Sequence, residues 1–428
     1  LPGKSSPLSL AIQKILEIPK EKRNRQQTDQ LQSWLLNRFG SEEVQVAAAE
    51  LAVAEQQRVR IFNAIPATMI MAQQPSPRTT HVLYRGEYDK PRDEVQPNVP
   101  DSLPDLPENL PGNRLALAEW LTQADHPLTS RVFVNRIWQR FFGVGIVKTS
   151  EDFGAQGEWP SHPKLLDWLA VEFVNMGWDI KRLQKMIVMS STYRQSSQVT
   201  AEQQANDPEN RLLSRGPRRR LGAEVVRDSA LLASGLLVEK LGGPSVFPYH
   251  PKGLWQEINN RPGYSRTYQQ GSGNDLYRRS LYTFWKRTVP PPSMATFDAP
   301  EREFCVVRRS RTNTPLQAFV LLHDPQFVEA ARKMARRILK EKPNDLDKQI
   351  SYGFELVTSR LPSDKELSVL RDSYQQRLTQ YQQQSDEATA LLSVGDFPRD
   401  ETLDLAEHAA MTSVARLLLN LSEFVTLN

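Results

Sequence analysis

Apolar residues recur at helical spacing through most of this chain, interrupted by a proline-rich stretch and by an arginine-rich loop. Near the start, Ser6-Pro7 opens a short helix. From Thr28 to Phe39, Leu31, Trp34, Leu35 and Phe39 share one face, and residues 41–63 carry Val44, Ala48, Leu51 and Val59. Two such stripes suit an antiparallel helical hairpin. Helical periodicity then lapses, because prolines at 66, 75, 77, 91, 97, 100, 104, 107 and 111 exclude a long helix. Within that stretch residues 80–86 alternate enough for one strand ending at Gly86, and the remainder reads as a polyproline-like strap.

Helix resumes over 113–123 and is broken at Asp125-His126-Pro127. Thr129 to Phe142 places Val134, Ile137, Trp138 and Phe141 on one face and stops at Gly143, with Asn135, Arg136 and Gln139 sharing part of its surface. Ser161-His162-Pro163 starts a helix whose core is Leu165, Leu166, Trp168, Leu169 and Phe173, and Asp179 caps another through Leu183 and Ile187 to about Tyr193. These short helices make a compact α unit. After a polar loop, Arg215–Arg220 forms a basic run beside a glycine, and a helix is predicted over 223–241, ended by Gly242-Gly243-Pro244. Residues 244–274 look irregular, with Trp255, Tyr264 and Tyr268 scattered among polar residues.

Asp275 to Arg332 is the densest stretch. Leu281-Tyr282-Thr283-Phe284-Trp285 reads as a buried strand, and Pro290, Pro291 and Pro292 then forbid regular structure. Thr314, Pro315 and Gln317 spell a capping box, and Asp324-Pro325 starts a longer helix with Phe327, Ala331, Met334, Ala335 and Ile338 inward. Its cations, Arg332, Lys333, Arg336, Arg337 and Lys340, fall mainly on the other face. Ser363 with Glu366 opens a long polar helix through Gln384, and residues 401–421 form the last helix, packing Ala409, Val414, Leu417 and Leu421. The expected fold is mainly α, with several packed helical subdomains, a few short strands and a proline-rich strap. Its divisions are a helical arm at 1–64, the strap at 65–112, a core at 113–341 and a terminal bundle at 342–428.

Between the two halves of that dense stretch lies a charged loop. Asp298, Glu301 and Glu303 face Arg302, Arg308, Arg309 and Arg311, with Asn313 just beyond and Arg278 and Arg279 upstream. Guanidinium groups fork onto carboxylates, sulfates or phosphates. One reading is an internal ion-pair network that pins the loop to the helices at 129–142 and 315–340. The other is an anion site to which the proline break brings Arg278, Arg279, Arg308, Arg309 and Arg311 on one face. Trp285, among cations, is either core or a stacking surface for a sugar ring. The basic run at 215–220 leaves an anion role open as well.

Composition narrows the chemistry. Fifty-four Lys and Arg against fifty Asp and Glu give a net charge of only +4, so bulk charge offers no argument for nucleic-acid binding. No apolar run approaches the roughly 20 residues that span a membrane. The single cysteine, Cys305, sits between Phe304 and Val306 and reads as a small buried hydrophobe; the alternative is that nearby Arg308 lowers its pKa and makes it reactive, with no local histidine to complete a nucleophilic pair. The six histidines are dispersed, and HExxH, CxxC, CxxCH, GxGxxG, GxSxG and P-loop motifs are missing. A histidine just ahead of a helix, as at 126 and 162, caps or packs. No metal or cofactor site is expected within the chain.

Four segments carry a resemblance: HPLTSRVFVNRIWQRFFGVGIVKTSEDFG at 126–154, SHPKLLDWLAVEF at 161–173, DLYRRSLYTFWKRTVPPPSMATFDAPEREFC at 275–305 and RRSRTNTPLQAFVLLHDPQFVEAAR at 308–332. They resemble the planctomycete surface domain known as domain of unknown function 1553, and residues 66–100 are similar to the segment that precedes it. The resemblance implies the C-terminal part of a large exported protein, following a cytochrome c domain and a companion domain. A chain that begins at Leu1 without methionine fits a processed or excised piece. Haem c is thus expected on a missing N-terminal domain, with that domain and its companion as partners and an extracytoplasmic location. Similar sequences often have histidine where Arg140 or Phe141 stands, which speaks against a haem or metal ligand on that helix. Two functions follow as expectations: a binding or docking module for an anionic glycan or for the cytochrome domain, or an enzyme performing a redox or lytic step on polysaccharide.

Overall fold

A computed structural model describes residues 9–74, 78–107, 110–258, 263 and 266–427. The Ser6-Pro7 helix start, Pro75, Pro77, Pro262 and Tyr264 lie outside the described residues. The chain divides into two compact units, Leu1–Gln96 and Pro97–Asn428, so the division falls inside the stretch read from sequence as one strap.

The first unit holds α1 (Leu10–Leu16), α2 (Arg25–Phe39) and α3 (Glu42–Ala64). Helix α2 begins before Thr28 because Asn24 and Gln27 form a reciprocal capping box, Asn24 Oδ1 accepting from Gln27 N at 2.9 Å. The α2–α3 hairpin forms, yet none of its side chains is buried. Downstream, β1 (Thr80–Leu83) pairs antiparallel with β2 (Pro91–Val95), with Thr80 opposite Val95 and His81 opposite Glu94. The single expected strand is therefore half of a hairpin. Pro91 is tolerated there as the first residue of its strand.

The second unit has two hydrophobic cores. Beyond α4 (Arg114–Leu121), the smaller is built by α5 (Thr129–Phe142), α6 (Pro163–Asn175) and α7 (Ile180–Met189), with Val134, Trp138, Leu166, Phe173, Leu183 and Ile187 as its centre. Each such side chain contributes roughly 1.5–3 kcal/mol by leaving water. His126 is buried against the Trp120 ring at 4.6 Å, and its Nδ1 accepts from the backbone nitrogens of Leu128 and Thr129 at 3.3 and 3.2 Å. It caps α5, whose own N-cap, Leu128, has no side-chain acceptor.

The larger core gathers α9 (Ala223–Ser234), α11 (Pro292–Thr296), α12 (Pro315–His323), α13 (Pro325–Glu341), α14 (Leu346–Thr358), α15 (Asp364–Gln383), α16 (Ser385–Leu392) and α17 (Leu405–Leu419), while the short helices α8 (Ala201–Asn206) and α10 (Leu254–Ile258) and the strands β3 (Arg219–Arg220) and β4 (Thr426–Leu427) add no residue of their own to it. Helix α13 lies at its centre and packs against α9, α14 and α17. Residues beyond 342 therefore share a core with α9 and α13 rather than forming a bundle of their own. Strand β3 pairs antiparallel with β4, Arg219 opposite Leu427, which fixes the basic run in place.

Five local expectations are corrected. The helix predicted to 241 stops at Ser234, because Gly235 takes a left-handed conformation at φ 73° and turns the chain. Residues 281–285 are no strand: a 3-10 turn covers Ser280–Tyr282, and only Val246 pairs with Thr283, so no ladder exists to extend. The third proline starts a helix instead of forbidding one, Pro292 standing at the first position of α11, where no N–H is needed. Thr314 makes no side-chain cap on α12, and Gln317 turns into the protein. Arg332, expected on the polar face of α13, is buried beside Glu329 at 3.6 Å. Glu329 itself accepts from the hydroxyls of Tyr249 and Tyr277, each at 2.9 Å, and from Phe397 N at 2.7 Å. Burial first, then that carboxylate, raises the pKa of both phenols, which stay protonated as donors.

Candidate functional site

A cleft of about 1000 Å³ opens where the two cores of the second unit meet. The carboxyl end of α5 supplies Arg136, Gln139, Arg140, Phe141 and Gly143. Strand β3 and the start of α9 supply Arg219, Arg220, Gly222 and Glu224, and the loop from Phe297 to Thr312 forms the facing wall. Eight arginines line it against three carboxylates, Glu224, Asp298 and Glu303.

The loop is held at its base. Asp298, in a left-handed conformation at φ 60°, accepts from Thr312 N at 2.7 Å and Thr312 Oγ1 at 3.0 Å. Gln317 of α12 is buried and donates from Nε2 to the carbonyls of Thr296 and Thr312 at 3.0 and 3.3 Å, while its Oε1 accepts from Arg220. That service to the loop is why Gln317 does not reach back to cap its own helix.

Several arginines are paired. Arg309 Nη1 donates to Glu224 Oε2 at 2.8 Å, and exposed Arg308 meets Glu151 at 3.2 Å. Burial pushes the Glu224 carboxyl up, but the hydrogen bond from Arg309 and the adjoining cations outweigh it and hold the group below its usual range. Arg302 lies over the Trp285 ring at 4.4 Å, and Trp285 Nε1 donates to Glu301 O at 3.1 Å. The half-buried indole also packs on the larger core.

Three arginines are different. Arg219 Nε donates to Phe141 O at 3.4 Å, and Arg311 Nη1 to Gly143 O at 3.1 Å. Both thus rest on the terminal carbonyls of α5, which carry partial negative charge. Burial, then Arg311, lowers the pKa of Arg219, with Arg140 adding to it; burial, then Arg140, lowers that of Arg311. A guanidinium does not shed its proton in a protein, so these shifts reflect burial first and then mutual repulsion among retained charges. Among the described residues no carboxylate pairs with any of the three.

Of the residues singled out from sequence, Asp298, Arg302, Arg308, Arg309 and Arg311 line the cleft, and Trp285, Glu301 and Asn313 do not. Arg278 is not on that face: it is buried, with Nη2 on the carbonyls of Lys240 and Gly242 at 2.9 and 2.6 Å, Nη1 on that of Pro244 at 3.1 Å, and the Tyr282 ring 3.7 Å away. Arg279 is exposed and outside the lining. Cys305, expected to be buried, is exposed in the loop wall, because the loop turns its Phe304–Val307 segment outward instead of into either core. Sequence reasoning named Arg136 and Arg140 only as parts of a helix, and left Gly143, Glu224 and Gln317 without a site role. The basic run at 215–220 was the signal that pointed to Arg219 and Arg220.

Among the described residues no group of His, Cys, Asp and Glu is arranged to hold a metal ion, and no helix is long and apolar enough to cross a membrane. No curated protein and no solved structure matches the chain. The family model described as "Protein of unknown function (DUF1553)" matches residues 113–374, a span that includes every residue lining the cleft. That span is more than half of the chain, which therefore belongs to this family.

Proposed function

We propose that this domain is an extracytoplasmic module that binds an anionic polysaccharide in the arginine-lined cleft, working beside a haem-bearing domain. The observation that carries the binding is the convergence of Arg140, Arg219 and Arg311 without a carboxylate partner. Like charges so placed raise the energy of the empty cleft, and an anion relieves it. The chain as a whole is nearly balanced, so the positive field is local and suits discrete acidic groups on an otherwise neutral polymer. Location and the neighbouring cytochrome rest on the resemblance of the four segments and of residues 66–100 to an exported family.

Binding is favoured over catalysis because two of the cleft's three carboxylates are occupied. Glu224 is held ionised by Arg309, and Asp298 spends its oxygens on Thr312. Equilibrium binding to dextran sulfate, carboxymethyl dextran and neutral dextran tests the reading. The acidic polymers should bind at roughly 0.05 M salt and weaken strongly by roughly 0.5 M, as screening shortens to a few ångströms. Equal binding of neutral dextran, or no binding of either acidic polymer at low salt, would overturn it.

A further inference from the structure

The geometry points to a defined subsite within that cleft: Arg140, Arg219 and Arg311 form a seat for one tetrahedral oxyanion, a sulfate or phosphate monoester, against the carboxyl end of α5. This rests on the cleft being an anion site and states which acidic group it prefers. The three side chains come from three separate elements, the last turn of α5, β3 and the loop wall. Two are already anchored, each by one N–H on a terminal carbonyl of α5. A guanidinium has further donors beyond the one so used, and among the described residues no carboxylate is paired with either side chain.

Gly143 makes the convergence possible. Its φ of 87° is left-handed, and a Cβ at that position would stand 2.9 Å from Arg311 Nη1 and 3.4 Å from Arg219 Cδ. A side chain there displaces the Arg311 guanidinium from the helix end and crowds the stem of Arg219. Helix capping by itself accounts for Arg219 and Arg311 but not for Arg140, which is exposed, lines the same cleft and acts electrostatically on both. A carboxylate presents two oxygens in one plane and is satisfied by a single guanidinium fork. A sulfate or phosphate monoester presents three terminal oxygens in three directions, which matches cations arriving from three elements.

The test uses the full chain and dextran sulfate against carboxymethyl dextran of matched charge density, with inorganic sulfate and inorganic phosphate as competitors. Wild type should prefer dextran sulfate by about tenfold, the scale of one added charge-assisted hydrogen bond. Arg140→Gln and Gly143→Ala should each reduce that preference to about twofold or less, with dextran sulfate binding falling several-fold more than carboxymethyl dextran binding. Competition by sulfate alone would assign the seat to sulfate esters, and competition by phosphate as well would assign it to either ester. Equal affinity for both polymers in wild type would overturn the subsite while leaving the anion-binding cleft standing, and so would an unchanged preference in Arg140→Gln. Gly143→Ala is strained at its φ and is judged only if its melting curve stays cooperative. Arg140→Gln, at an exposed position, decides the matter regardless.

Discussion

Two sets of arginines in the second unit have opposite surroundings. In the larger core, Arg227 is fully buried: Nε donates to Gln326 Oε1, Nη1 to Arg278 O at 2.8 Å and Ser280 Oγ at 3.2 Å, and Nη2 to Leu276 O at 2.7 Å. Burial brings its pKa down to about 10, and Asp228 partly offsets this. Arg278 likewise gives its Nη atoms to three carbonyls, only its Nε lacking a partner. In the cleft, Arg219 and Arg311 each give one N–H to the protein and lie beside Arg140. The first set shows arginine as a brace that satisfies loop carbonyls. The second shows arginine with capacity to spare, which is what a binding site requires.

Removing the brace should have the largest effect. Arg227→Met leaves Gln326, Ser280 and two buried carbonyls without their donor, so the loss is about 3–5 kcal/mol, comparable to breaking a buried ionic contact. A urea melt monitored by tryptophan fluorescence measures it. A loss below about 1 kcal/mol would mean the core set is as replaceable as a surface residue, and the comparison would fail.

Gln317 should come next, because it joins the two regions. Gln317→Ala deprives Arg220 of its acceptor and the carbonyls of Thr296 and Thr312 of a donor, at about 1–3 kcal/mol. The freed loop should also become a better protease substrate within 298–312. Limited proteolysis with unchanged cutting there would show that the loop is held by Asp298 and Thr312 without it.

The smallest effect is a pH dependence seated in the core. His408 Nε2 donates to Arg332 O at 3.1 Å and its Nδ1 is buried without a partner, so the ring is neutral. Burial foremost, then nearby arginines, holds its pKa below the ordinary value. The unfolded chain therefore takes up the proton more readily, and this contribution is present above about pH 6.5 and lost as the pH falls below it. Urea midpoints of wild type and His408→Gln should diverge near neutrality and converge in mild acid. Parallel curves would remove His408 from the account.

Much of this was legible from the chain. Helix α5 runs from Thr129 to Phe142 as its apolar stripe and Gly143 dictate, and the loop arginines from 302 to 311 do line a cleft. What failed was local motif reading where tertiary contacts outbid it. Gln317 at the third helical position signals a cap, yet it is drawn inward by Arg220 and Thr312. Gly235 ends α9 well before the Gly242-Gly243 pair that looked decisive. Arg278 sits among arginines in sequence, but its neighbours in space are the carbonyls at 240–244. Arg140 and Arg219 could not be placed together from sequence, since they stand on separate elements, α5 and β3, that meet only in the tertiary fold.

The central claim is that the cleft arginines are there to bind rather than to brace, and one doubly substituted protein tests it. In Arg219→Gln/Arg311→Gln, two weak carbonyl contacts are lost while mutual repulsion is relieved, so the urea midpoint should correspond to a change of about 1 kcal/mol or less. Dextran sulfate affinity of the same protein, at physiological salt, should fall by more than about tenfold, the loss expected when charge-assisted hydrogen bonds to an anion are removed. A protein that keeps its affinity, or one that loses its fold as Arg227→Met is expected to, would contradict the account and return the cluster to a structural role.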